Sequence, residues 1–269
     1  SAASDVYKRQ KVDYPQGIQA KEFILPKELL EQNCVISLSK MKTHALERIT
    51  GAVKNSYGFV YGFHKAKGHT QYPSADSFAR MLIDLNKCVA PKLYVMDGIV
   101  AMEGNGPGSG DPVQMNVMLM STDPVALDSV FSRLVYLKPE MVPTNYHGEK
   151  MGLGTWKEEE ITLLTPDGEI SMSEAVKRYG NPQFNVDRTE VRKNIWTRMA
   201  GALNIFQKKP YIEADKCVRC GICVQSCPVP GKAVDFRKGK GKPPVYDYKK
   251  CIRCFCCQEM CPKKAIKVK

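Results

Sequence analysis

CVRCGICVQSCP (217–228) and CIRCFCCQEMCP (251–262) place cysteine at the same four positions twice over. Each run is C-x2-C-x2-C-x3-C-P: Cys217, Cys220, Cys223 and Cys227 before Pro228, then Cys251, Cys254, Cys257 and Cys261 before Pro262. Zinc sites also take four soft ligands, but usually as two C-x2-C pairs across a long spacer. Three cysteines at x2 intervals wrap one face of an iron–sulfur cubane, and the x3-C-P step sends the fourth to the neighbouring cluster. The spacing therefore predicts two [4Fe–4S] clusters. One takes Cys217, Cys220, Cys223 and Cys261, the other Cys251, Cys254, Cys257 and Cys227. Cys256 fits neither pattern, and as a ligand in place of Cys257 it would spoil the x2 spacing. It reads as a small buried apolar filler.

Over residues 212–269 the repeat resembles bacterial-type two-cluster ferredoxins. The resemblance implies a small α+β domain in which AVDF (233–236) and AIKV (265–268) are paired short strands. The second run departs from the first by carrying Phe255 where Gly221 stands. Charge is concentrated here: residues 207–269 hold 16 Lys+Arg against 5 Asp+Glu, in a chain of net charge +12. Two clusters of about −2 each leave the segment basic, which suits an acidic redox partner. A nucleic-acid surface would interleave aromatics with the basic residues. Phe236, Tyr246 and Tyr248 are more simply core around the clusters, so nucleic acid is not expected.

No apolar run reaches the roughly 18–20 residues of a membrane span, and no signal peptide is visible. Nine of the eleven cysteines lie between 217 and 261. Such clustering points to metal rather than disulfides, and the cytoplasm is the expected compartment. The opening SAASDVYKRQ lacks an initiator methionine and resembles the translation of a sequencing-library adaptor. Residues 1–10 are therefore expected to be foreign, with 11–206 an α/β domain incomplete at its N-terminus, 207–211 a linker and 212–269 the cluster domain.

In the α/β segment, NCVISLSK (33–40), KLYVMDGIV (92–100), QMNVMLMS (114–121) and EITLLT (160–165) read as strands. HALERITGAVKNSYGFV (44–60), SADSFARMLIDLNKCVA (74–90), DPVALDSVFSRLVYL (123–137), 171–179 and 188–205 read as helices. Ser74 or Asp76 caps the second, and Asp123 caps the third ahead of Pro124. The alternation predicts a layered α/β domain with a largely parallel sheet.

SKMKTHALERITGAVKNSYG, VMDGIVAMEGNGPGSG and STDPVALDSV together resemble the DUF362 family, whose members often carry such a ferredoxin module. The resemblance supplies no reaction. If the three strands are neighbours, their ends gather Lys42, Thr43, His44, Lys54, Asn55, Asp97, Glu103, Asn105 and Asp128 at one edge. That inventory suits a metal ion, a phosphorylated or carboxylate substrate, or proton transfer. Lys42, His44, Asp97 and Glu103 are the expected catalytic group. Asp123 is more simply a helix cap, and His64 and His69 an exposed loop. GNGPGSG lacks the Lys-Ser/Thr of a phosphate loop. The expected function is single-electron transfer through two clusters, serving a reductase-like activity on an unidentified small molecule. The alternative is a non-catalytic carrier or scaffold.

Overall fold

The computed structural model describes residues 9–61, 64–190 and 208–269. The helix expected over 188–205 falls almost wholly outside them. A hairpin of β1 (Arg9–Asp13) and β2 (Glu22–Pro26) leads through α1 (Lys27–Leu30) into β3 (Ile36–His44). β1 already includes Arg9 and Gln10, paired with Pro26 and Leu25, so residue 11 is not a structural boundary. Then come β4 (Arg48–Thr50), α2 (Ala52–Asn55), α3 (His64–Gln71) and α4 (Ala75–Val89). β5 (Leu93–Glu103) and β6 (Asp111–Ser121) form a long hairpin. α5 (Pro124–Leu134), α6 (Pro143–Lys150), the hairpin β7 (Leu163–Thr165)–β8 (Gly168–Ile170) and α7 (Met172–Tyr179) follow.

The α/β class is as expected, and its central sheet is mixed, in the order β4-β3-β5-β6. Only β3 and β5 run parallel; β4 folds back on β3, and β6 on β5. The parallel share is smaller than the alternation suggested because both flanking pairs close through local turns, which force antiparallel pairing. The stretch 44–60 corrects a helix expectation. His44 ends β3, Arg48 takes φ 65° at the start of β4, and helix resumes only after Gly51. A Cβ at Gly51 would stand 1.9 Å from Asp128 Oδ1, which accepts from Ala52 N at 2.6 Å, while Asp128 Oδ2 accepts from Val53 N at 3.1 Å. Asp128 thus caps α2 from inside the core and is not a solvated helix residue.

α4 begins where expected: Ser74 and Ser77 form a reciprocal capping box. Its buried Phe78, Leu82 and Leu85 pack with Phe23, Leu25 and Val53. Asp123 caps α5 through Val125 N and Ala126 N, and Leu127, Phe131 and Leu134 cover Met41, Met96, Met115 and Val117 of the sheet. Helices cover this one face. On the other, Leu38, Met118 and Met120 stand 71%, 55% and 64% exposed.

In the small C-terminal ferredoxin-like domain, β9 (Pro210–Ile212) pairs with β12 (Ile266–Val268), and β10 (Val234–Asp235) with β11 (Val245–Tyr246). AVDF and AIKV do form strands, but not with each other. Each pairs with the strand that precedes the other cysteine run, which interlocks the two halves. α8 (Ile222–Gln225) and α9 (Cys256–Glu259) follow equivalent left-handed residues, Gly221 at φ 78° and Phe255 at φ 60°. The exchange of glycine for phenylalanine therefore leaves the backbone turn unchanged. Phe255 adopts a conformation that costs a side chain roughly 1–2 kcal/mol, while its ring is buried.

Candidate functional site

Two cavities open in the C-terminal domain. Cys217, Cys220, Cys223 and Cys261 line the first. Cys227, Cys251, Cys254 and Cys257 line the second. Each thus draws three cysteines from one run and one from the other. The turns that carry the cysteines also aim donors at sulfur. Ala233 N donates to Cys227 Sγ and Ala265 N to Cys261 Sγ, both at 3.3 Å, and Tyr246 Oη donates to Cys257 Sγ at 3.2 Å.

The donor set fits a cationic iron–sulfur core. Burial, and then the neighbouring Cys217, push the Cys223 thiol up to about 11, and burial first raises Cys251 and Cys257 as well. Four thiolates packed this closely ionise together only around positive charge. Among the described residues no three His, Cys, Asp or Glu side chains gather as a single-ion site. The cysteines ring cavities instead. Cys256 lines neither cavity and hydrogen-bonds Cys254, an arrangement that lowers the Cys254 thiol and raises its own.

The two cavities face different surroundings. Around the first, Cys220 is exposed and Val218 is 56% exposed. Around the second, Cys254, Phe255 and Cys257 are buried, and α9 leans on the upstream domain. Gln258 Nε2 donates to the carbonyls of Asn105 and Gly106 at 2.8 and 3.0 Å, and Asn105 Nδ2 donates to Ile266 O at 3.0 Å. His44 Nδ1 accepts from the N–H groups of Leu46 and Glu47, which leaves the ring proton on Nε2. Nε2 donates it to Glu259 Oε1 at 2.9 Å. The glycine loop 103–112 thus docks the C-terminal domain. A Cβ at Gly106 would meet Thr43 O at 2.2 Å, and one at Gly108 would meet Glu259 O at 2.9 Å.

Of the expected catalytic group, Lys42 and His44 come together here, and Asp97 and Glu103 do not. Register slips between Lys40 and Lys42 on β3 and between Gly98 and Val100 on β5. Asp97 precedes both slips and lies mid-strand on the open face because β5 runs on to Glu103, in an ion pair with Lys40 at 2.6 Å. Glu103 Oε2 accepts from Asn185 N at 2.7 Å and pins the segment beyond α7. Asn55 donates to Leu38 O at 2.9 Å, and Asp123 also accepts from Thr155 N, so both are structural. His69 is not in an exposed loop. It is buried in α3, stacked on Phe78 at 4.4 Å. The side chain of His64 lies outside the described residues.

Three residues at this seam were missed in the sequence: Glu259, Glu47 and Gln258. Glu47 is fully buried, and burial raises its carboxyl well above the ordinary value. Glu259 is held at about 2. Burial opposes its ionisation, but the His44 hydrogen bond and the charge of Lys54 prevail. Burial and Lys54 lower His44 to about 4, and burial chiefly lowers His69 to about 4. Below 6.5 the unfolded chain therefore takes up protons that the folded chain refuses, so stability is complete above pH 6.5 and is lost as the pH falls toward 4. The denaturation midpoint is expected to drop between about pH 7.5 and 5.5, and less steeply in His69→Gln. Equal midpoints at the two pH values would contradict the burial of neutral rings.

Residues 2–133 match the family model of DUF362, a domain of unknown function, and residues 209–262 match that of a 4Fe-4S dicluster domain. The chain joins a DUF362 domain to a 4Fe-4S dicluster domain. The DUF362 match ends within α5, so it contains β3, α2, α3 and the loop that docks the dicluster domain. The thylakoid-associated protein sll1697 of Synechocystis sp. is 41% identical over 130 residues, which make up 48% of this chain and 40% of that protein. The chain thus spans less than half the length of this relative. No solved structure matches it significantly. The dicluster domain makes the C-terminal part a ferredoxin-like electron carrier of the iron–sulfur class. No helix among the described residues is long and apolar enough to cross a membrane.

Proposed function

We propose that the dicluster domain holds two [4Fe–4S] clusters in crossed ligation and delivers single electrons to a reductase-like site in the DUF362 domain. Cys217, Cys220, Cys223 and Cys261 would hold the outer cluster, and Cys251, Cys254, Cys257 and Cys227 the inner one. One observation carries this reading. α9 contributes Cys257 to the second cavity and, in the next two residues, Gln258 and Glu259 to the seam. The cysteines of the second cavity therefore lie on the side of Lys42 and His44, while Cys220 of the first is exposed. With both clusters bound, the exposed cavity would receive the electron from a partner and the second would face the acceptor. When bound, the clusters supply one-electron redox chemistry; this chain's residues hold them, exclude water from the inner one and position Lys42 and His44 beside it. Asp97 and Glu103, which the fold puts elsewhere, take no part.

The entry surface is basic: Arg219 and Lys263 line the first cavity, and Arg237, Lys238, Lys240 and Lys242 form the nearby hairpin tip. The partner that fits is an acidic redox protein. A chain with this many free thiols in tight runs suits a reducing compartment, the cytoplasm. Nucleic acid is disfavoured because Tyr246 and Tyr248 stack on each other, with Tyr246 donating to Cys257, rather than lying free as a base platform. A second reading is a non-catalytic carrier whose DUF362 domain docks a partner, and the open apolar sheet face at Leu38, Met118 and Met120 favours it.

The test is stopped-flow reduction of the oxidised protein by a reduced acidic flavodoxin. The rate is expected to fall about tenfold or more as salt rises, and likewise in Lys238→Glu/Lys240→Glu/Lys242→Glu. A rate indifferent to salt and to these charges would sink the acidic-partner reading. Clusters that the flavodoxin cannot reduce would sink the electron path itself.

A further inference from the structure

The seam carries more charge than its hydrogen bonds consume. Lys54, on α2, is 8% exposed, and among the described residues its ammonium has no hydrogen-bond or ion-pair partner. Six groups nevertheless feel its charge: Lys42, His44, Glu47, Lys65, His69 and Glu259. They come from β3, the turn after it, α3 and α9, and none closes on it. Glu47 is 0% exposed, and neither of its carboxylate oxygens has a hydrogen-bond partner; nor has Nδ1 of the buried His69. Buried polar groups left without a partner are rare, so two that feel the same ammonium mark a place where something else binds.

The charge balance says what kind of group that is. Three lysines point their charge at this region. The tautomer fixed by its backbone donors keeps His44 neutral, with its one ring proton on Nε2 and donated to Glu259. Glu259 already serves His44, and a deeply buried Glu47 favours its neutral acid. Water could satisfy Glu47, but water leaves a buried ammonium without a counter-charge. We propose that the seam around Lys54 binds the oxyanion group, carboxylate or phosphate, of a small-molecule ligand, with Lys54 as its charge partner, Lys42 and Lys65 flanking it and Glu47 donating a hydrogen bond. Glu259, which feels the charge of Lys54, lies two residues beyond Cys257, so the bound anion sits on the side of the second cavity. The identification of this ligand as the substrate rests on the electron-path reading; its binding does not.

Calorimetric titration of the anaerobically cluster-loaded protein with inorganic phosphate, and separately with acetate, tests the inference. At least one anion is expected to bind saturably, with affinity reduced about ten- to hundred-fold in Lys54→Met. Lys54→Arg keeps the charge and should retain most of the binding, while Lys40→Met, on the open face, should change nothing. If neither anion binds the wild-type protein, or if Lys54→Met binds as well as wild type, the anion site is overturned. Reduction of the clusters by dithionite in the same Lys54→Met samples separates this failure from failure of the electron path, because clusters that still reduce leave the path intact.

Discussion

Replacing Cys227 with alanine is expected to empty the second cavity rather than the first, although Cys227 belongs to the first run. Iron should fall from roughly eight to roughly four per chain, with sulfide in step. Double variants make the wiring unambiguous. Cys227→Ala with Cys254→Ala removes two ligands of one cavity and should still leave about four iron, whereas Cys227→Ala with Cys220→Ala strikes both cavities and should leave almost none. If each run held its own cluster, the two results would be exchanged. Cys256→Ala should keep the full complement, because its sulfur borders Cys254 without lining the cavity. Loss of iron in Cys256→Ala would show that the fifth cysteine is a ligand after all.

His44→Ala is the second change of large expected effect. It removes the donor to a carboxylate whose side chain is only 26% exposed and leaves Glu259 ionised with no partner in hydrogen-bond reach. Charge-assisted hydrogen bonds of this kind contribute about 1.5–3 kcal/mol. The loss should fall on the seam: denaturant stability drops by that amount, and hydrogen exchange in α9 and the loop 103–112 accelerates, while iron content stays at the wild-type level. A change below about 0.5 kcal/mol, with unaltered exchange, would mean that Gln258 and the glycine loop hold the two domains without His44.

What the sequence disclosed follows from how local each signal is. The grouping of Cys217, Cys220 and Cys223 depends on neighbours along the chain, so spacing alone reveals it. The fourth member of each set was legible because the x3-C-P step has a known geometric consequence. Asp97 and Glu103 misled because the alternation of apolar residues says neither how far β5 runs nor that the segment at Asn185 will meet Glu103. The burial of His69 was hidden by its helix, HKAKGHTQ, whose polar residues resemble a solvated loop. Glu259 was out of reach for a plainer reason: its partner stands 215 residues away, and nothing in CFCCQEM says which carboxylate will meet a histidine. Fold class survived these errors because capping residues such as Ser74 and Asp123 and the faces of α4 and α5 agree with one another.

α9 has one more consequence. Its single turn sets Cys257 against a cavity, Gln258 against two carbonyls of the upstream loop and Glu259 against His44, in consecutive residues. A turn this short has no slack to hold one contact while another is missing. Disturbing the second cavity is therefore expected to reach the upstream domain, so that iron chelation raises hydrogen exchange in the loop 103–112 as well as in α9.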